Sequence, residues 1–156
     1  MDDDFANWFS GFVDGEGCFT YNSYERYTTP QFTIHLRADD REILEECQRR
    51  FGGCISEYEV TERAKKLKPG CSPDVLWQVT ANKELLGIVR HFEKYPLRAK
   101  KKCDFEIWKL MVQEKAKPHP DENYVIRLRK ILSVAKKYKS ITSMPKRRNI
   151  QLRIEW

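Results

Sequence analysis

The apolar residues of this chain recur first at helical spacing and then at strand spacing. From Asp4 to Val13, Phe5, Trp8, Phe9, Phe12 and Val13 recur every three to four positions behind a run of aspartates, where a helix N-terminus favours negative charge. Gly15 and Gly17 are expected to end this helix. Two strands are predicted next, Cys18 to Tyr27 and Gln31 to Arg37, joined by a Thr28-Thr29-Pro30 turn. In the second, Phe32, Ile34 and Leu36 point one way and Gln31, Thr33, His35 and Arg37 the other. Asp39 reads as an N-cap with Glu42 three residues on, opening a helix on Ile43, Leu44, Cys47 and Phe51 that Gly52-Gly53 stops. A second hairpin is predicted over Cys54 to Arg63 and Val75 to Thr80, with Trp77 and Val79 inward and Gln78 and Thr80 outward. Between its strands, Ala64 to Pro73 forms a basic loop.

Three further helices follow. Asn82 is expected to cap one carrying Leu85, Leu86, Val89 and Phe92; another runs from about Arg98 to Lys115 on Phe105, Trp108 and Met111 or Val112. Pro118 and Pro120 break the chain before a last helix, Glu122 to Tyr138, on Val125, Leu128, Ile131, Leu132, Ala135 and Tyr138. The order α-β-β-α-β-β-α-α-α predicts an α+β domain over residues 1–138, with a basic tail over 139–156. Its two α-β-β halves make a four-stranded antiparallel sheet with helices on one face, leaving the other face open.

Composition adds a partner class. The net charge is +6, yet Met1 to Gly17 holds five acids and no basic residue, so the rest of the chain carries +11. A basic body favours a polyanion, because lysine and arginine displace counterions condensed on phosphates. The 5 cysteines are odd in number and lack C-x-x-C spacing, which points to reduced thiols in an intracellular protein rather than to a zinc site or a disulfide framework. No secretion leader and no membrane span is expected, since no apolar run of about 18 residues occurs. A bacterial cytoplasm and an organelle both fit.

The segment Phe9-Ser10-Gly11-Phe12-Val13-Asp14-Gly15-Glu16-Gly17 resembles the signature of the LAGLIDADG homing endonucleases. Ile34 to Leu44, Gly52-Gly53, and Tyr95-Pro-Leu-Arg-Ala-Lys-Lys-Lys-Cys-Asp-Phe105 are similar to further landmarks of that family, in the right order. The resemblance implies an αββαββα core whose sheet binds double-stranded DNA, with extra C-terminal helices here. It also implies a homodimer, each subunit lending one motif helix, that hydrolyses both strands and leaves 3′ overhangs. Trp8, Phe9, Ser10, Gly11, Phe12 and Asp14 are then the dimer contact. Glu16 is the metal-binding acid, where many members carry aspartate, and the carbonyl of Gly15 is a second ligand. Phosphodiester cleavage needs a cation to offset developing charge, and Mg²⁺ suits a few carboxylates with phosphates and waters. One carboxylate per subunit is a poor site alone; two across a dimer axis make a better one. Of Lys100, Lys101 and Lys102, a basic residue is implied near the reacting phosphate, with Lys101 the first choice and Lys102 the next.

The outward set on the first hairpin is Thr20, Asn22, Tyr24, Arg26, Gln31, Thr33, His35 and Arg37, and Ser56, Tyr58, Gln78 and Thr80 extend it. Amide, hydroxyl and guanidinium groups are the types that hydrogen-bond base edges in the major groove. A ribbon of about ten residues spans roughly 33 Å, close to ten base pairs, so a two-fold dimer covers a pseudo-palindrome of about twenty. The competing reading is a non-catalytic nucleic-acid binder on the same scaffold, such as an intron RNA maturase or a DNA-binding regulator. Lys65, Lys66 and Lys68, with Lys146, Arg147 and Arg148, would position phosphates without reading sequence.

Overall fold

The computed structural model describes residues 3–25, 27–60 and 72–142, with side chains as far as 137. Its elements are α1 (Asp3–Glu16), β1 (Gly17–Ser23), β2 (Thr28–Arg37), a 3₁₀ turn (Ala38–Asp40), α2 (Arg41–Phe51), β3 (Cys54–Tyr58), β4 (Asp74–Val79), α3 (Asn82–Lys94), α4 (Lys101–Lys115) and α5 (Glu122–Thr142). The strands form one antiparallel sheet in the order β1-β2-β4-β3, and the helices pack on one of its faces. The expected α+β architecture is therefore present, with the last helix running through Thr142.

Strand alternation sends Phe19, Phe32, Ile34, Val75, Trp77 and Val79 to the helical side, where all are buried. There they meet Phe9 and Val13 of α1, Leu44 and Phe51 of α2, Leu85 and Phe92 of α3, and Phe105 and Trp108 of α4. α5 adds Val125, Leu128 and Leu132. Burying a side chain of this size stabilises by about 1.5–3 kcal/mol, so this two-layer core is the main source of cohesion. The two largest buried rings also satisfy backbone acceptors. Trp108 Nε1 donates to the carbonyl of Gln31 at 2.9 Å, and Trp77 Nε1 donates to that of Gly52 at 2.8 Å. Gly52 and Gly53 both have positive φ, +81° and +82°, and a Cβ at Gly53 would stand 2.5 Å from the carbonyl oxygen of Gln78.

Four expectations are corrected. Tyr24 N–H donates to the Tyr27 carbonyl where β1 gives way to β2, and Thr28-Thr29-Pro30 opens β2 instead of forming the turn. β-Branched threonines favour extended backbone, and β4 pairs with β2 only from Phe32 onward, so the missing N–H of Pro30 breaks no bond on that side. Asp39 does not cap α2; it pairs with Arg37 at 3.1 Å, and the 3₁₀ turn intervenes. Asn82 does not cap α3 either, because its Nδ2 donates to the carbonyl of Lys115 at 3.0 Å and closes the far end of α4. α1 continues through Gly15 to Glu16, and β1 starts directly at Gly17.

Candidate active site

α1 is seated by one of its faces. The Phe9 ring is fully buried, stacked on Phe51 at 4.6 Å and Phe92 at 5.7 Å, with His91 edge-on at 5.1 Å. Ser10 Oγ donates to the carbonyl of Tyr95 at 2.7 Å and lies 3.2 Å from His91 Nε2. Burial pushes the His91 imidazole down to about 4, against a bond to the backbone of Ala6. Phe9 therefore does not lie on the contact face expected of it, and Ser10, though it lines the cleft beside that face, is only 8% exposed and spends its hydroxyl within its own subunit. The aromatic arc of α1 is wider than one face, and its Phe9 side is the one turned to the core.

The opposite face is open. Trp8 is 42% exposed and stacks on half-buried Phe12 at 5.0 Å. A Cβ placed on Gly11 or Gly15, one turn apart, would meet nothing within 4 Å. Beside this face runs a cleft of about 380 Å³, lined by Asn7, Gly11, Asp14, Tyr95, Pro96 and Arg98.

The C-terminal turn of α1 carries Asp14 and Glu16 and no basic residue, the reverse of what the helix dipole favours. Asp14 Oδ2 accepts from the backbone N–H groups of Arg98 and Ala99, at 2.8 and 3.1 Å, while its Oδ1 is buried without a hydrogen-bond partner. Those bonds fix the segment that leads into α4. From its first turn Lys101 Nζ returns to donate to the Gly15 carbonyl at 2.5 Å. Burial lowers the Lys101 pKa, opposed by Glu16, Cys18, Asp14 and Asp104. Glu16 itself is exposed. Gly17 must be glycine, since a Cβ there would lie 2.5 Å from Val13 Cγ1, and this tight passage sets Glu16 at the junction of helix and sheet.

These donors suit a hard cation. A carboxylate and a backbone carbonyl stand together at the negative end of a helix, and an ammonium already occupies that carbonyl. They are few: among the described residues no group of three or more histidine, cysteine or acidic side chains is placed to hold a metal.

On the open sheet face, strand register lines side chains into rows. Cys18, Thr33, Gln78 and Cys54 form one row, His35, Leu76 and Ser56 the next, and Arg37, Asp74 and Tyr58 the third. Thr20 and Gln31 pair nearer the hairpin tip, with Asn22 beyond them. Of the expected face residues, Gln31 is buried (5% exposed), Thr20, Thr33 and Gln78 are half-buried, and Asn22, His35, Arg37, Ser56 and Tyr58 are exposed. Gln31 thus offers little surface. Thr80 is exposed just past β4, Tyr24 stacks on Tyr27 at 4.6 Å in the turn, and Arg26 lies outside the described residues. So do residues 61–71 and 143–156, with their lysines and arginines. Cys18, Cys54, Asp74 and Leu76 share this face without having been anticipated; counting backwards by twos from Gln78 would have reached the last two. Cys18, Cys47, Cys54 and Cys103 are free thiols.

Residues 9–112 match the family described as LAGLIDADG endonuclease. This chain belongs to that family. Over 115 residues the LAGLIDADG chain is 33% identical to probable intron-encoded endonuclease 4 of Neurospora crassa, covering 69% of its own length and 19% of the relative's. Among solved structures it resembles the LAGLIDADG meganuclease I-AabMI bound to uncleaved DNA, with TM-score 0.57 and 27% identity, over 69% of this chain and 35% of that one. An archaeal intron-encoded homing endonuclease complexed with DNA shares the fold, with TM-score 0.67 and 21% identity, over 96% of this chain and 91% of that one. I-TnaI, a homing endonuclease, matches with TM-score 0.64 and 22% identity, over 85% of this chain and 96% of that one. No described helix of the LAGLIDADG chain is long and apolar enough to cross a membrane.

Proposed function

We propose that this LAGLIDADG chain is a sequence-specific, Mg²⁺-dependent DNA endonuclease that works as a homodimer wherever the DNA of its host cell or organelle lies. The observation that carries the reading is the acidic end of α1: Glu16 exposed beside Lys101 and the Gly15 carbonyl, at the edge of an open polar sheet face. One subunit offers a single exposed carboxylate there, and a second copy doubles it. The open face of α1 supports that pairing, because Gly11 and Gly15 let two backbones approach closely and Trp8 protrudes beside a cleft able to accept an aromatic ring.

Bound Mg²⁺ would supply a Lewis acid for the scissile phosphate and a water of lowered pKa. Glu16 would hold it, joined by the Gly15 carbonyl once Lys101 Nζ turns from that oxygen to a phosphate. Lys101, fixed through Asp14 and the 98–99 backbone, directs an ammonium at the same spot and is suited to steady negative charge on the phosphate oxygens. The sheet face lies in the major groove, and two-fold pairing makes the target a pseudo-palindrome cut on both strands with 3′ overhangs.

The test is cleavage of double-stranded DNA that the purified protein has selected from a randomised library. With Mg²⁺ the wild type is expected to cut both strands, Glu16→Gln to bind without cutting, and EDTA to stop the reaction. An intact substrate after prolonged incubation, or a Glu16→Gln protein that cuts like wild type, defeats the enzyme reading.

A further inference from the structure

The described part of the open sheet face carries one acid. Among the described strand residues that point to that side, Asp74 is the sole carboxylate, since Glu57 of β3 points to the helical side and binds Arg41 of α2. On a surface meant to meet phosphates a carboxylate is costly, because it repels the polyanion that its neighbours attract. Nor is Asp74 consumed by the fold. Its side chain is 49% exposed, and its register partner Arg37 turns instead to Asp39, at 3.1 Å. Among the described residues, the exposed imidazole of His35 approaches it, with Nε2 3.6 Å from Asp74 Oδ2. The row Arg37–Asp74–Tyr58, with His35 alongside, thus sets an acceptor-only group directly beside nitrogen donors.

That arrangement matches one base pair in the major groove. Cytosine presents there a single donor, its N4 amino group, while the paired guanine presents two acceptors, N7 and O6. Adenine also offers a donor, but with the N7 acceptor beside it, which a carboxylate would oppose. We infer that Asp74 is a specificity-determining residue that fixes a C·G pair in each half-site: its carboxylate accepts from cytosine N4 while His35 or Arg37 donates to the guanine. The inference rests on the DNA-binding reading above and deepens it. A half-exposed side chain at the start of an inner strand is expected to tolerate replacement, so folding should not confound the comparison.

The experiment is selection of bound duplexes from a randomised library by the full chain, run in parallel for wild type, Asp74→Asn and Asp74→Ala, with thermal melts to establish that all three fold. The wild type should enrich C·G at one position in each half-site. Both variants should lose that preference by about ten-fold or more, keep the preferences elsewhere, and bind random DNA more tightly at low salt. Unchanged preference at every position in the variants, or a change at a position where the wild type did not select C·G, overturns the role of Asp74 while DNA recognition stands. A wild type that enriches no sequence overturns both.

Discussion

The C-terminal turn of α1 and the open sheet face are both polar and both accessible, but the chain holds them differently. Along the second half of α1 several polar groups are tied to a distant part of the same subunit, Asp14 Oδ2 to the backbone at 98 and 99, the Gly15 carbonyl to Lys101, Ser10 to Tyr95 and His91, while Glu16 stays exposed. On the face, side chains stand in register rows with few partners, the His35–Asp74 approach being loose at 3.6 Å. One region keeps a few atoms in fixed relation, which suits the phosphodiester chemistry proposed for it. The other leaves its hydrogen-bonding capacity to an outside molecule. Under the proposed endonuclease reading, a scaffold divided in this way can exchange face residues without disturbing the acidic turn.

The comparison breaks most visibly at His91, which seats α1 among Phe9, Phe51, Phe92, Tyr95 and Ser10. Its pKa is about 4 in the folded chain against an ordinary 6.5 for a solvated imidazole, so the unfolded state takes up a proton first as pH falls. Stability is then full above the unfolded value, declines between about pH 6.5 and 4, and has lost on the order of 3 kcal/mol below that range. Denaturant unfolding at pH 7 and pH 4.5 should show the drop in wild type and a shallower one in His91→Gln; equal slopes would mean that His91 does not sense its burial.

A smaller effect sharpens the contrast directly. Asp14→Ala removes the acceptor for two backbone N–H groups and should cost about 1–3 kcal/mol, together with much of the cleavage rate as Lys101 loses its support. Thr33→Ala, on the face, should leave stability within about 0.5 kcal/mol and act on DNA affinity alone. Urea melts beside binding titrations separate the two; matching stability losses would erase the distinction between the regions.

Much of this division was legible in sequence, for identifiable reasons. Period-two alternation put His35, Ser56 and Gln78 on the open face, and three-to-four spacing found Leu85, Trp108 and Val125 in the core. The motif drew attention to Asp14, Gly15 and Glu16. What sequence could not supply was the partner at a distance. Asn82 has the chemistry of an N-cap, yet its amide reaches Lys115, far along the chain. The apolar arc of α1 spans Trp8 to Val13 across about 140° of the helix, and only the positions of Phe51, Phe92 and His91 decide that its Phe9 side faces inward. The roles of Arg98 and Ala99 are carried by backbone N–H groups, which leave no mark in side-chain identity.

The central claim is that each of two subunits brings one Glu16 to a shared DNA site. Mixed dimers test it most directly: wild-type and Glu16→Gln chains carrying different tags are co-expressed, purified through both tags, and given target DNA with Mg²⁺. The account predicts that double-strand cleavage is lost in the mixed dimer while DNA binding is kept. A mixed dimer that cuts both strands at the wild-type rate, or a failure of the two chains to associate at all, contradicts it.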